Sequence, residues 1–397
     1  MRKPNIKNPL FSIVIPTRDR PALLKILLDS ILKQNFDNFE IIIANNSKSN
    51  ETSVLLESYN NKRIILIKNN DVAMDKNWNS GIQKARGKYL LLFSDKMFLK
   101  KGALTYLSNY MHKNTQECLI WGIDKFYLQT NEYEKNQSFQ QKSVLSADWL
   151  RGFFTNSLDT YPAPCHCNSC VPMSIVKKIL KKTGKLCMKL NPDYTMAFQI
   201  LLNTKKIHQI KNNLTVLLYP NDKVGFGNGT SFWQKTNKYT KKRDFIKKSN
   251  GWFKNNNLLD GINLKFFYMQ DQILRDLHNI LKIYSKNLDE IISKINRKCN
   301  YFVNAYRETI RRQRSGVNLD KEFFYLKKIF NNTDREIKEK LYFKIKFLIC
   351  KLYFIKIFLF FKKNKFFSFL LDFAKKSLFK KKVAFYSIDE AYQKIKF

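Results

Sequence analysis

The sequence predicts an α/β fold: a mixed, mainly parallel sheet with flanking helices, followed by an α-helical C-terminal region. Three observations predict it. Between residues 11 and 93, short hydrophobic runs alternate with stretches of helical apolar spacing. Each run ends abruptly in a polar cluster. From about Trp252 that alternation stops, and helical spacing with many charges takes over.

The elements follow in order. Phe11-Ser-Ile-Val-Ile15 reads as a buried strand, Pro16-Thr-Arg-Asp-Arg-Pro21 as a polar loop, and Ala22 to Leu32 as a helix. A second strand, Phe39 to Ala44, ends in Asn45-Asn-Ser-Lys-Ser-Asn50 before a helix over Glu51 to Tyr59. Arg63 to Ile67 is a third strand, and Asp75 to Ile82 a helix closed by Gly87. Tyr89 to Phe93 is a fourth strand, hydrophobic at every position as a central parallel strand is. It runs straight into Ser94-Asp95-Lys96. In an open parallel sheet ligands collect at the carboxyl ends of the strands, so Asp95 stands where a polar substrate or metal is held; the plainer alternative is a Ser-Asp cap on the next element.

The chain has 397 residues and 44% hydrophobic content, enough for a large core. Its net charge of +40 points to a polyanionic partner: an anionic membrane surface, phosphorylated substrates or nucleic acid. Zinc-finger, helix-turn-helix and aromatic RNA-platform motifs are lacking, and no nucleic acid is expected. Seven cysteines without framework spacing indicate reduced thiols and a cytoplasmic setting, and the short apolar run from Leu10 to Pro16 does not read as a secretory signal.

The runs Phe-Ser-Ile-Val-Ile-Pro-Thr-Arg, Glu-Ile-Ile-Ile-Ala-Asn-Asn-Ser and Asn-Trp-Asn-Ser-Gly-Ile-x-x-Ala-x-Gly-x-Tyr, with the acid-terminated fourth strand, resemble the nucleotide-binding half of family-two glycosyltransferases. The resemblance covers residues 10 to 105, with a looser continuation to about 235. It implies the GT-A (Rossmann-like) fold and inverting transfer from a nucleotide-sugar donor. By that resemblance Pro16, Thr17 and Arg18 fall in the loop that cradles the base. Asn45 takes the place of an Asp that contacts uracil or ribose, which weakens any assignment of uridine. Trp78 and Asn79 lie in the segment that closes over the nucleotide, although Trp78 also suits a core-facing helix position.

The acid motif departs from the family, which carries two or three acids where this chain has Ser94-Asp95-Lys96. The resemblance implies Mg²⁺ or Mn²⁺ on Asp95, since such ions need one or two carboxylates plus substrate phosphates. Lys96 offers a second means of meeting the same charge. Further on, Cys118 to Ile123 reads as a strand and Thr130 to Lys142 as a loop. Cys165-His166-Cys167-Asn-Ser-Cys170 holds zinc-type ligands but has no second ligand pair, and by resemblance His166 is the acceptor-contacting residue. Val171 to Leu180 suits a short strand entering a helix, with Gly184 as the break. Asp193, at the start of a helix over Thr195 to Leu202, is either an N-cap or, by resemblance, the general base. Leu214 to Tyr219 reads as a strand, and Gly225, Gly227 and Gly229 follow in a loop.

The expected organisation is a catalytic domain over 1–240 (nucleotide half 10–105, acceptor half 106–240), a helical domain over 241–337, and a basic amphipathic tail over 338–397. Within the helical domain, Phe266 to Ile295 and Lys321 to Phe330 read as helices. In the tail, lysines interrupt a Phe/Ile/Leu-rich run too often for a bilayer span, and the pattern fits a helix lying on an anionic membrane. The expected partners are a nucleotide-sugar donor, a glycan or lipid-linked glycan acceptor, and the inner face of the cell membrane. An inactive GT-A-like scaffold is the competing expectation.

Overall fold

A computed structural model describes residues 8–113, 117–136, 139–154, 163–188, 191–219, 269–287, 320–333, 335–342 and 382–395, with isolated positions between 290 and 313. Four strands, β1 (Phe11–Thr17), β2 (Phe39–Asn45), β3 (Ile64–Lys68) and β4 (Tyr89–Leu92), lie parallel in the order β3-β2-β1-β4. Helices α1 (Pro21–Leu32), α2 (Glu51–Tyr59) and α3 (Met74–Ile82) alternate with them. This is the predicted βαβ half. Strands β1, β2 and β4 are buried and mostly hydrophobic because both faces are covered, the buried Ser12 and Glu40 satisfying each other, while the edge strand β3 is partly exposed. Val14, Leu90 and Leu92 enter one core, while Phe11, Ile13, Ile15, Tyr89, Leu91 and Phe93 enter the other.

The sheet continues beyond β4 through β10 (Ser169–Pro172), β6 (Cys118–Ile120), β11 (Lys206–Gln209) and β9 (Lys142–Leu145). Strand β10 runs antiparallel to β4, so the turn before it returns to the end where Asp95 lies. Helix α4 (Ala103–Lys113) precedes β6, and α5 (Ser146–Phe154) follows β9. Helix α6 (Met173–Thr183) ends at Gly184, whose φ of 75° is the left-handed conformation that glycine adopts without strain. Helix α7 (Pro192–Asn203) carries Asp193 in its first turn.

A second sheet, in the order β13-β8-β7-β12-β5, starts directly after Lys96. It contains β5 (Met97–Leu99), β7 (Ile123–Tyr127), β8 (Glu132–Glu134), β12 (Thr215–Tyr219) and β13 (Lys382–Ala384). Several expectations are corrected here. Cys118 to Ile123 is not one strand: the chain leaves the first sheet at Trp121-Gly122 and joins the second at Ile123. The expected loop over 130–142 contains β8, which pairs antiparallel with β7 and is half-buried by packing rather than by its own polar sequence.

The C-terminal boundaries also move. The expected helix over 266–295 is α8 (Met269–Ile283) within the described residues, and it ends before Ser285, whose φ is 52°. Ile273, Leu277, Ile280 and Leu281 of α8 pack in the same core as Met196, Phe198 and Ile200 of α7, so this helix is part of the body built on the first sheet. A separate small core joins Phe302, Val303, Ile337 and Leu341 to Leu326 of α9 (Asp320–Asn331).

Residues 382–395, expected within a helical tail, instead return to the second sheet. Strand β13 pairs antiparallel with β8, and α10 (Ile388–Lys394) buries Ala391 and Tyr392 against Leu23, Phe98 and Phe126. The Tyr392 hydroxyl donates to the Ser30 carbonyl at 3.1 Å. The apolar surface buried by Tyr392, with its hydroxyl satisfied, holds this segment on the second sheet. The stretch 343–381, including most of the expected membrane helix, lies outside the described residues.

The second sheet is tied together by a buried ion pair. Lys100 and Asp124 are both fully buried, with Nζ to Oδ2 at 2.6 Å. Asp124 also accepts from the Tyr133 hydroxyl at 2.6 Å, the Asn136 backbone at 2.7 Å and Asn213 Nδ2 at 2.7 Å. Every strand that flanks β7 is thereby pinned to one carboxylate. Removing one member of a buried pair strands the other charge, so Asp124→Ala is expected to lose about 3–5 kcal/mol of stability in denaturant titration.

Candidate active site

Asp95 is 1% exposed at the carboxyl end of β4. Its Oδ2 accepts from the Thr17 hydroxyl at 2.8 Å and from Arg20 Nε at 2.9 Å. Both donors come from the loop after β1, which β1–β4 pairing brings alongside. Burial pushes the Asp95 carboxyl above its usual range, while Arg20, Thr17 and Lys96 pull it back. Lys96 is held below the ordinary lysine range, first by burial and then by the neighbouring Arg20; Asp95 and Cys167 act in the opposite sense. Ser94 Oγ accepts from the Lys96 backbone N–H at 3.3 Å and shapes this corner.

The turn before β10 closes the crevice from the other side. Cys167, at a φ of 77°, donates its backbone N–H to Leu92 and so lies against the end of β4. Burial pushes its thiol up to about 12, Ser94 and Lys96 lower it, and Asp193 and Asp95 raise it. One side chain therefore senses Asp95, Lys96 and Asp193 together. His166 beside it is depressed by burial and by Lys96 and raised by Asp193. Its ring lies 4.9 Å from that of Trp78.

Asp193 is not an N-cap. That position is Asn191, and Pro192 opens the helix. Asn191 Nδ2 donates to Asp276 Oδ2 of α8 at 2.7 Å, so a buried residue far along the sequence sets the start of α7. No hydrogen bond to the Asp193 carboxylate is formed among the described residues.

Of the remaining expected residues, Pro16 and Asn45 lie in the buried ends of β1 and β2, paired with Ala44 and Thr17 respectively. Asn45 Oδ1 accepts from the Ser47 backbone at 3.0 Å. Arg18 turns to Asp71, 2.7 Å away, on the loop after β3. Trp78 packs against the core, as the core-facing alternative expects, and its ring also meets that of His166.

Asn79 is the exception. Its Nδ2 donates to the carbonyls of Asp75 (2.7 Å) and Cys187 (2.6 Å), and its Oδ1 accepts from the backbones of Leu186 (3.0 Å) and Cys187 (3.1 Å). Two donors and two acceptor sites are the whole capacity of an amide, so nothing is left for a nucleotide. Asn79 fastens the segment before α7 to α3. Arg20 is the residue that sequence reading missed: its signal was only a second arginine in the loop already singled out.

The residues around Asp95 fit a divalent ion poorly. One carboxylate oxygen is occupied by Thr17 and Arg20, and the other, Oδ1, is sealed from solvent without a hydrogen-bond partner. Mg²⁺ keeps several of its waters, and this carboxylate offers one oxygen that is already committed and one closed to solvent. Among the described residues no cluster of three or more His, Cys, Asp or Glu side chains is placed to hold a metal, Cys165, His166, Cys167 and Cys170 included.

The described residues form an α/β protein in which Asp95 and Lys96 stand where the parallel strands end. Residues 12–184 match the model for glycosyl transferase family 2. An uncharacterized glycosyltransferase of Rickettsia prowazekii is 37% identical over 87 residues, 22% of this chain and 27% of its own length. A GalNAc(5)-diNAcBac-PP-undecaprenol beta-1,3-glucosyltransferase of Campylobacter jejuni is 26% identical over 160 residues, 37% of this chain and 51% of its own. The chain thus spans between a quarter and half of the length of these relatives. Among solved structures, residues 1–349 of S. aureus TarS with UDP-GlcNAc align with a TM-score of 0.44 and 16% identity, over 76% of this chain and 83% of that one.

Because Asn79 serves the backbone, Asn79→Ala strands several buried polar groups at once. It is expected to cost at least about 2 kcal/mol in thermal or chemical unfolding.

Proposed function

We propose that the chain is an inverting glycosyltransferase that moves a sugar from a nucleotide-sugar donor to a hydroxyl of a growing bacterial surface glycan. The observation that supports it best is the turn before β10, where Cys167 bonds to Leu92 next to Asp95–Lys96 and both Cys167 and His166 feel the charge of Asp193. In this reading an acid that can take a proton works opposite basic groups that can receive a leaving diphosphate.

In this reading the base lies over Thr17, Arg18 and Asn45, with Trp78 along the crevice wall. The acceptor hydroxyl, positioned by His166, attacks the anomeric carbon from the face opposite the diphosphate. As the new C–O bond forms, the bond from the anomeric carbon to the diphosphate oxygen breaks and its electron pair leaves with the nucleotide. The hydroxyl proton passes to Asp193, acting as general base. His166, its pKa depressed by burial, is neutral near pH 7 and can orient the hydroxyl without competing for positive charge with Lys96.

A lipid-linked acceptor is consistent with the polyprenyl-diphosphate substrate in the Campylobacter relative's name and with the +40 charge. We place the protein at the inner face of the cell membrane, attached peripherally. Among the described residues no helix is long and apolar enough to cross a membrane.

Asp193→Asn is expected to leave binding of a nucleotide-sugar panel nearly intact and to lower turnover by about 10² or more, the usual range for loss of a general base; near-normal turnover removes Asp193 from the mechanism. Deletion of residues 343–381, which keeps β13 and α10, is expected to abolish co-sedimentation with anionic vesicles.

A further inference from the structure

We infer that the donor's diphosphate is neutralised by the Arg20 and Lys96 side chains around Asp95 rather than by a divalent ion. The inference rests on the nucleotide-sugar reading above and concerns how that same site meets its ligand's charge.

Asp95 brings one negative charge to the end of β4, and Arg20 and Lys96 bring two positive ones, so the corner is cationic overall. Arg20 sits at the N-cap of α1. Its Nε bonds to Asp95 and no other of its nitrogens has a partner among the described residues. A guanidinium has five N–H donors, so most of its fork remains for phosphate oxygens. Arg20 is only partly exposed, with 21% of its side-chain surface open, which favours strong charge-assisted hydrogen bonds. The first turn of α1 adds backbone N–H groups and the positive end of the helix dipole from the same direction.

Asp95 then has a different task from binding an ion. Through Oδ2 it fixes Arg20, and Thr17 fixes Oδ2 in turn. It is a positioning residue, and Arg20 and Lys96 touch the leaving group. A divalent ion on Asp95 would have to displace Arg20 from Oδ2 or open the sealed Oδ1, and would lie against two cations in either case. The second acid that offsets such an ion elsewhere in the family is here Lys96.

The test is calorimetric titration of the full chain with UDP, GDP and their sugar conjugates, once in excess EDTA and once in excess Mn²⁺. The expected result is an affinity in EDTA within about threefold of that in Mn²⁺. Arg20→Ala and Lys96→Ala, checked for folding by thermal unfolding, are each expected to weaken binding at least about tenfold in both buffers. Lys96→Asp, which recreates a paired acid, is expected to bind only with Mn²⁺. Binding by the unaltered chain that requires Mn²⁺ overturns this inference and leaves the donor-binding reading standing. Failure of every probe in both buffers overturns the donor-binding reading, and this inference with it.

Discussion

The hydrogen-bonded ion pair between Arg20 and Asp95 is the contact on which the candidate site depends. It joins the loop after β1 to the end of β4, and the chain passes from the first sheet into the second immediately after it. A carboxylate this deeply buried is costly unless compensated, and its compensation comes from Arg20, Thr17 and Lys96. The loop after β1 holds its place because Asp95 holds Arg20.

The opposite wall is built by amides and hydroxyls rather than charges. Asn79 grips the backbone at Leu186 and Cys187, Thr195 accepts from Met188, and Gln199 donates to the carbonyls of Lys185 and Leu186. The segment ahead of α7 is thus held from two helices. Asp276 secures Asn191 from a third. These contacts leave Asp193 in the first turn of α7 at a set position, with no hydrogen bond to its carboxylate among the described residues. A base that accepts a proton from a substrate needs that combination of fixed placement and an open acceptor.

The return of residues 382–395 gives the chain an unexpected closure. Strand β13 covers an edge of the second sheet, and Tyr392 reaches Ser30 on α1, the helix whose N-terminus carries Arg20. The last described residues therefore support the same helix that the phosphate-facing corner uses. Whatever the basic stretch 343–381 binds, both of its flanks are attached to folded structure: Leu341 packs in the small helical core and Val383 pairs with Tyr133.

Sequence alone determined the nucleotide half. Strands that are hydrophobic on both faces, such as Phe11–Ile15 and Tyr89–Phe93, can be satisfied only in the middle of a layered sheet, and polar loops must then collect at their ends. That local physics was sufficient to single out Asp95; Thr17, Lys96 and Asp193 came from the resemblance to family-two glycosyltransferases. Sequence alone could not tell a ligand contact from a structural one. Asn79 and Asp193 are both polar residues beside helical apolar patterns, and only the folded chain reveals that the first has all its hydrogen bonds filled by backbone while the second has none among the described residues. It also could not find Arg20 as the partner of Asp95, place Asp276 behind Asn191, or bring Lys382–Ala384 back to β8. Those pairings join positions tens to hundreds of residues apart, and their stability comes from burial that exists only once the two sheets have packed.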